Sequence, residues 1–139
     1  MKEEFIKKYN NHEYISNDLY LNVLANYKDV VPSNFNIDTY NDIVLEKLYL
    51  LNKDYFDNFY KDIDLNIKLD KEQCKAILSD EKYSLIIAGA GTGKTTTMAS
   101  KVKYLVEKKN ILPEKILVLS YTRKATEELD KRICLDFNI

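Results

Sequence analysis

The three glycines of this 139-residue chain all fall between Ala88 and Lys94. Glycine serves where the backbone must bend, or come close to another group, in ways that a side chain would block. The run from Ala88 to Thr95 reads AGAGTGKT, which matches the phosphate-loop pattern GxxxxGK[ST] with alanine in place of the first glycine. The sequence therefore predicts a loop whose backbone closes around a phosphate group.

Each residue type in this loop suits the binding of a nucleotide polyphosphate. Successive backbone N–H groups can turn inward to form an anion-binding nest, and the helix predicted from Lys94 adds the positive end of its dipole. Lys94 would reach the β- and γ-phosphates, while the Thr95 hydroxyl would bind a Mg²⁺ ion that bridges them. We therefore predict Lys94 and Thr95 as catalytic residues. The predicted nucleotide-binding residues of this segment are Ala88, Gly89, Ala90, Gly91, Thr92, Gly93, Lys94, Thr95 and Thr96.

The segments around the loop predict a βαβ unit. Residues 84–87 and 115–120 are short apolar runs rich in branched side chains, which is typical of buried strands. Asp70 is expected to cap a short helix that runs through Ile77. An amphipathic helix is predicted between the two apolar runs, over residues 94–108, and Thr122 is expected to begin a further helix. A strand, a crossover helix and a second strand make up a βαβ unit, in which the two strands are parallel. We therefore expect an α/β fold with a parallel sheet and a right-handed crossover.

The chain divides into two predicted regions. Residues 1–64 are expected to form a mostly helical N-terminal region, and residues 65–139 to form part of an ATP-binding domain. A break is expected at residues 30–33, because proline disfavours helix in the residue before it. The aromatic residues between Tyr55 and Tyr60 are predicted to pack against the neighbouring region, with base stacking as the alternative.

Composition gives few signs of a partner. The net charge is −1, but residues 1–68 hold 8 basic and 12 acidic residues, whereas residues 69–139 hold 13 and 10. Polyanion binding is therefore expected in the second part of the chain. No apolar run approaches the roughly 20 residues that a membrane helix needs. No membrane partner is therefore expected. Cys74 and Cys134 are isolated, which indicates reduced thiols in a cytoplasmic protein.

Three segments together resemble a known family. They are residues 69–73, LDKEQ; the loop with its flank, AGAGTGKTTT; and residues 117–125, LVLSYTRKA. In this order and spacing they resemble the UvrD/Rep-like superfamily 1 DNA helicases, and residues 55–57, YFD, add a likeness to helicase IV-type members. The likeness is strong over residues 55–139 and weak over residues 1–54.

The resemblance implies roles for further residues. Gln73 resembles the glutamine that reads the adenine edge, since an amide can donate and accept together; a solvent-facing glutamine is the alternative. Thr122, Arg123 and Lys124 resemble a motif that contacts single-stranded DNA, although a simple helix cap beside solvated cations is also compatible with this pattern. The chain departs from the family at Cys74, where arginine is usual, and at Thr126, where alanine is common.

The resemblance implies an ATP-dependent DNA helicase that uses ATP and Mg²⁺, binds single-stranded or partially duplex DNA, and moves 3′ to 5′. It also implies that the sheet is that of a RecA-like P-loop NTPase and is incomplete here, because the acidic pair that holds Mg²⁺ is expected beyond residue 139. We therefore expect residues 1–139 alone not to hydrolyse ATP. The alternative is a standalone nucleotide- or single-stranded nucleic-acid-binding module without catalysis. Another P-loop enzyme, such as a kinase, is disfavoured by residues 117–125.

Overall fold

The structure is a computed structural model that describes all 139 residues, and its regular elements are helical. The α-helices are α1 (Lys2–Asn10), α2 (Asn17–Asn26), α3 (Ile37–Leu51), α4 (Lys53–Asp57), α5 (Lys71–Leu78), α6 (Lys94–Glu107) and α7 (Arg123–Asp130). Short 3₁₀ turns cover Lys28–Val30 and Pro113–Lys115, and a π-helix, Lys131–Asp136, continues α7. None of these helices has the length and apolar character needed to cross a membrane.

The first three helices enclose a small apolar cluster of their own. Its buried members are Phe5, Ile15, Leu19, Val23 and Ile37. Asn41 of α3 supports this cluster from within: its amide donates to the Ile15 carbonyl at 2.7 Å and accepts from the Ile15 N–H at 3.1 Å. Ile15 lies outside the helices, so its backbone N–H and C=O have no partner in a helix. The buried Asn41 amide satisfies both groups.

A second and larger cluster lies among α4, α5, α6 and α7. Its buried members are Phe56, Phe59, Tyr60, Cys74, Ile77, Leu78, Ala99, Tyr104, Leu129 and Phe137. Phe56 in α4 and Phe59 and Tyr60 just after it are therefore core residues, as the packing prediction stated, and their burial excludes base stacking by these three side chains. Helix α3 contacts both clusters, because Ile37 lies in the first and Leu48 packs against the second.

Polar contacts also join the first helices to the segment that precedes the glycine loop. The Glu81 carboxylate accepts from the Tyr14 hydroxyl at 2.8 Å and from the Asn17 N–H at 3.0 Å. Because Asn17 is the first residue of α2, the carboxylate lies at the positive end of that helix. Burial and the hydrogen bond to Glu81 both raise the pKa of Tyr14.

The predicted parallel sheet is absent, so the expectation of an α/β P-loop fold is wrong for this structure. Residues 84–87 and 116–120 belong to no regular element, and no ladder of backbone hydrogen bonds joins them to each other or to any other segment. Their apolar side chains stay accessible instead: Leu85 is 85% exposed and Leu117 is 81% exposed.

The predicted sheet is absent because a β-strand is stable only when the backbone of a neighbouring strand pairs with it. The two predicted buried strands do not form, although exposed and partly buried positions alternate along residues 116–119 as they would in a strand. A ladder also needs a second segment at about 4.8 Å, and no part of the chain supplies one. Residues 84, 86 and 116–119 instead help to line a groove of about 250 Å³ beside α6.

The predicted helix starts are confirmed. Asp70 caps α5 by accepting from the Gln73 N–H at 2.8 Å, and Thr122 caps α7 by accepting from the Ala125 N–H at 3.2 Å. Helix α6 begins at Lys94 as predicted and ends one residue earlier than expected, at Glu107. These local signals were enough because a cap satisfies backbone donors within its own turn.

Candidate nucleotide-binding site

The glycine loop has a backbone conformation that only glycine adopts without strain at two positions. Gly91 has φ +74° and Gly93, the residue before α6, has φ +85°. A side chain at Gly93 would also collide with a neighbour, because a Cβ there would lie 2.6 Å from Gln73 Nε2. Gly93 thus meets two demands at once, a left-handed turn into the helix and close contact with α5.

The backbone donors of this segment have no partner in the protein. None of the N–H groups of residues 88–96 donates to a protein acceptor, and the first bond of α6 runs from the Thr97 N–H to the Gly93 carbonyl at 2.8 Å. Gly93 supplies no side-chain cap. A run of unbonded N–H groups at the start of a 14-residue helix is an anion-binding arrangement, because the donors and the helix dipole favour the same charge.

Lys94 lies across this loop rather than extending into solvent. Its ammonium donates to the Ala88 carbonyl at 3.0 Å and to the Gly89 carbonyl. The side chain stays exposed, so an incoming anion can compete for it. The Thr92 hydroxyl donates to the Gly89 carbonyl at 2.8 Å and closes the loop on itself.

Gln73 joins α5 to the loop. Its Oε1 accepts from the Asp70 N–H at 2.8 Å, which completes a capping box, and its Nε2 donates to the Thr92 carbonyl at 3.1 Å. The side chain is therefore not the solvent-facing glutamine of the alternative interpretation. An amide has two N–H groups and two lone pairs, so one donor and one acceptor remain for another partner.

A shallow pocket of about 190 Å³ lies between α5 and the loop. Its lining includes Gln73, Ala88, Thr92 and Lys94, together with the carboxylates Asp70 and Glu72. Lys94 is the one cation in this lining, and the Asp70 carboxylate is already engaged as the cap of α5. The pocket thus brings together Gln73 and three predicted residues of the glycine loop, Ala88, Thr92 and Lys94. It does not include the other predicted loop residues, Gly89, Ala90, Gly91, Gly93, Thr95 and Thr96.

The residues present fit a triphosphate and its metal ion. The free N–H groups of residues 88–96 match phosphate oxygens, and the Thr95 hydroxyl makes no hydrogen bond within the protein, in contrast to the Thr97 hydroxyl, which donates to the Gly93 carbonyl at 2.9 Å. No group of three or more acidic, histidine or cysteine side chains could hold a metal ion by itself. The unbonded Thr95 hydroxyl is available as a ligand for a magnesium ion that phosphate oxygens also bind, which is the usual arrangement for Mg²⁺ bound with a nucleotide.

The second predicted site lies at the start of α7, which packs against α6. Thr122 is its N-cap, and Arg123 and Lys124 are exposed and form no ion pair. Tyr121, which the sequence analysis did not single out, is fully exposed beside them. The signal for it was present in the run YTRK, because an aromatic side chain next to two cations is a common combination in proteins that bind single strands.

Comparison with known proteins identifies a family for this chain. The family described as the UvrD/REP helicase N-terminal domain matches residues 69–138, which is half of the chain. The chain belongs to this family. No solved structure matches it.

The relatives include helicases from several bacteria. A probable DNA helicase II homolog of Mycoplasma capricolum is 45% identical over 65 residues, which are 47% of this chain and 9% of that protein. DNA helicase IV of Escherichia coli is 36% identical over 76 residues, or 55% of this chain and 11% of that protein. The ATP-dependent DNA helicase PcrA of Staphylococcus epidermidis is 37% identical over 65 residues, or 47% and 9%. The chain thus spans about a tenth of the length of these relatives.

Proposed function

We propose that this chain carries the ATP-binding loop and a single-strand DNA contact of an ATP-dependent DNA helicase. The observation that carries the proposal is the run of unbonded N–H groups in residues 88–96 at the start of α6, with the Lys94 ammonium held on the Ala88 and Gly89 carbonyls of the same loop. Membership of the UvrD/REP family supports ATP as the nucleotide, because relatives in that family are named ATP-dependent DNA helicases.

Each residue of the loop has a distinct role in this proposal. The N–H groups of residues 88–96 bind the phosphate oxygens, and Lys94 exchanges its two carbonyl partners for the β- and γ-phosphates. Thr95 provides the hydroxyl for Mg²⁺, whose charge, when the ion is bound, offsets that of the phosphates. Gln73 uses its remaining donor and acceptor for the adenine edge, which would make the site prefer ATP to GTP.

The start of α7 is proposed to contact DNA. The N–H groups of its first turn, together with Arg123 and Lys124, would bind backbone phosphates, and Thr122 would keep its capping role while doing so. The exposed Tyr121 ring would stack on a base, which is sequence-tolerant because every base has a π-face. Movement 3′ to 5′ along the strand is a further proposal, which rests on the family resemblance.

Lys94→Ala tests the nucleotide site. The variant cannot make the charge-assisted contact to phosphate, so Mg-ATP binding should weaken by about tenfold to hundredfold in a titration with a fluorescent ATP analogue. The fold should persist, because Lys94 is exposed and lies outside both apolar clusters. Thr95→Ala should reduce the dependence of binding on Mg²⁺ while leaving metal-free binding unchanged. Equal affinities of the unchanged protein and Lys94→Ala would refute the assignment.

Tyr121→Ala tests the DNA contact against a matched control. Removal of one stacking platform should weaken binding to an oligothymidine by about 1–3 kcal/mol. Tyr83→Ala is the control, since Tyr83 is 82% exposed and also stands next to a lysine, Lys82, but lies outside the α7 start. If both substitutions weaken DNA binding equally, stacking at Tyr121 is wrong.

Binding of backbone phosphates has its own signature. Thr122→Ala combined with Arg123→Ala should flatten the dependence of single-strand affinity on salt, by about 0.7 in log–log slope for each phosphate that the variant no longer neutralises. Because Thr122 also caps α7, Thr122→Ser with Arg123→Lys provides a variant that keeps both the cap and the charge. An unchanged slope in the alanine variant would contradict phosphate binding at this helix start.

A further inference from the structure

Two acidic residues of α3 meet two lysines of α5 in a compact ion-pair cluster. Lys75 Nζ lies 2.8 Å from Asp42 Oδ1 and 3.2 Å from Glu46 Oε2, and Lys71 Nζ lies 2.7 Å from Glu46 Oε1. Asp42 and Glu46 are one turn apart on α3, as are Lys71 and Lys75 on α5, so the two helices present matched charges to each other. The hydrogen bond from Lys75 lowers the pKa of Asp42, and the hydrogen bond from Lys71 lowers the pKa of Glu46.

The ion-pair cluster adds to the hold that the apolar core has on α5. The buried residues of α5 are Cys74, Ile77 and Leu78, whereas its first three residues, 71–73, are not buried. The side chain of Lys75 is only 13% exposed and lies between the two carboxylates, so it is the most confined of the four charged groups. The burial of Cys74, the ion pairs and the Asp70 cap together restrain the start of α5.

The start of α5 is also the part that contacts the glycine loop. Gln73, which lies between the two lysines, donates from Nε2 to the Thr92 carbonyl at 3.1 Å and leaves no room for a side chain at Gly93. A small rotation of the first turn of α5 would therefore move Gln73 on the loop. The first turn of α5 and the Gln73 amide therefore connect α3 to the nucleotide site.

We propose that Asp42 and Glu46 are positioning residues for the nucleotide site: through Lys71 and Lys75 they hold α5 so that Gln73 stays on the loop. This inference rests on the proposed function, because it concerns how that same site prefers ATP. It assigns a role to the N-terminal helices, which lie before the residues that match the helicase family. The residues act through α5 and do not touch the nucleotide.

The test removes both carboxylates while keeping side-chain shape, with Asp42→Asn and Glu46→Gln in one variant. Mg-ATP binding should weaken by about twofold to fivefold, as expected when exposed ion pairs that are coupled to the site are removed, and the ratio of ATP to GTP affinity should fall. The same pair of substitutions in a Gln73→Ala background should have no further effect on that ratio, because the amide through which α5 contacts the loop is then absent.

Two matched variants separate positioning from general charge removal. Asp57→Asn removes an exposed ion pair of similar geometry, Lys53 to Asp57 at 2.6 Å on α4, and should leave both affinities unchanged. Asp42→Glu with Glu46→Asp keeps both charges and should restore most of the ATP preference. In the absence of nucleotide, the carboxylate-free variant should shift the amide NMR signal of Gly93, which touches Gln73, but not that of Gly89.

The outcomes distinguish this inference from the proposed function. A lower melting temperature with unchanged ATP affinity, ATP preference and Gly93 signal would overturn the positioning role and leave the nucleotide site intact. An equal fall in ATP preference with and without Gln73 would also overturn it, because the effect would then bypass α5. An ATP affinity that Lys94→Ala leaves unchanged would refute the nucleotide site itself, while the Gly93 signal would still report whether α3 positions Gln73.

Discussion

Gly93 is the residue at which the loop, α6 and Gln73 meet, and its replacement by alanine gives the sharpest test of that contact. An alanine at φ +85° would be strained by about 1–2 kcal/mol. Its Cβ would also lie 2.6 Å from Gln73 Nε2, so the glutamine amide must move. Moving it breaks the bond to the Thr92 carbonyl and weakens the capping box of α5, which costs about 1–2 kcal/mol more.

Gly91→Ala is the matched control within the same loop. Gly91 has a similar conformation, φ +74°, but no atom lies within 4 Å of the position that its Cβ would take. This variant should therefore show the backbone strain alone, about 1–2 kcal/mol, whereas Gly93→Ala should be destabilised by about 2–4 kcal/mol. The difference between them measures the displacement of Gln73.

Urea unfolding followed by circular dichroism gives both free energies. In a Gln73→Ala background the extra cost of Gly93→Ala should disappear, because the amide that the new methyl group meets is gone. ATP preference should fall in Gly93→Ala and persist in Gly91→Ala. Equal destabilisation by the two alanine substitutions would refute the close contact between Gly93 and Gln73.

Other parts of the structure make predictions of their own. Asn41→Leu should destabilise the chain by about 2–4 kcal/mol in thermal unfolding, because the buried N–H and C=O of Ile15 would have no partners; a change below about 0.5 kcal/mol would contradict their pairing. Lys101→Met should cost about 1–3 kcal/mol, since its buried ammonium donates to two carbonyls at the end of α5 at 2.6 and 2.7 Å; an unchanged unfolding midpoint would exclude this role. Burial raises the pKa of the Cys74 thiol to about 11, so at pH 8 a thiol reagent should label the exposed Cys134 and reach Cys74 only on unfolding; labelling of both at the same rate would place Cys74 at the surface.

Local signals were sufficient to predict the helix starts. Asp70 and Thr122 cap α5 and α7 through hydrogen bonds within three residues, so the sequence alone contains both partners. The glycine spacing likewise predicted where α6 begins, because the left-handed turn at Gly93 is a property of one residue. In each case the residue that determines the helix start lies within one turn of the backbone groups on which it acts.

Features that depend on distant partners were not predictable in this way. The pattern of residues 84–87 and 115–120 suggested strands, but a ladder needs a neighbouring segment that local sequence cannot reveal. The contact between Gln73 and the Thr92 carbonyl joins residues 19 positions apart. The ion pair between Asp42 and Lys75 joins residues 33 positions apart. The contacts of the Lys94 ammonium with the carbonyls of its own loop were not predicted either; they form because nearby carbonyls compete with water for an ammonium.

Binding of a nucleoside triphosphate by the backbone of the glycine loop can be observed at the loop itself. The chain contains only three glycines, Gly89, Gly91 and Gly93, and all lie in this loop. A sample labelled with ¹⁵N at glycine alone should therefore give three amide signals. Titration with Mg-ATP should move all three in the unchanged protein, while Lys94→Ala should require a much higher ATP concentration for the same shifts. Glycine signals that stay in place at saturating Mg-ATP would contradict nucleotide binding by this loop, whatever binding another method detects.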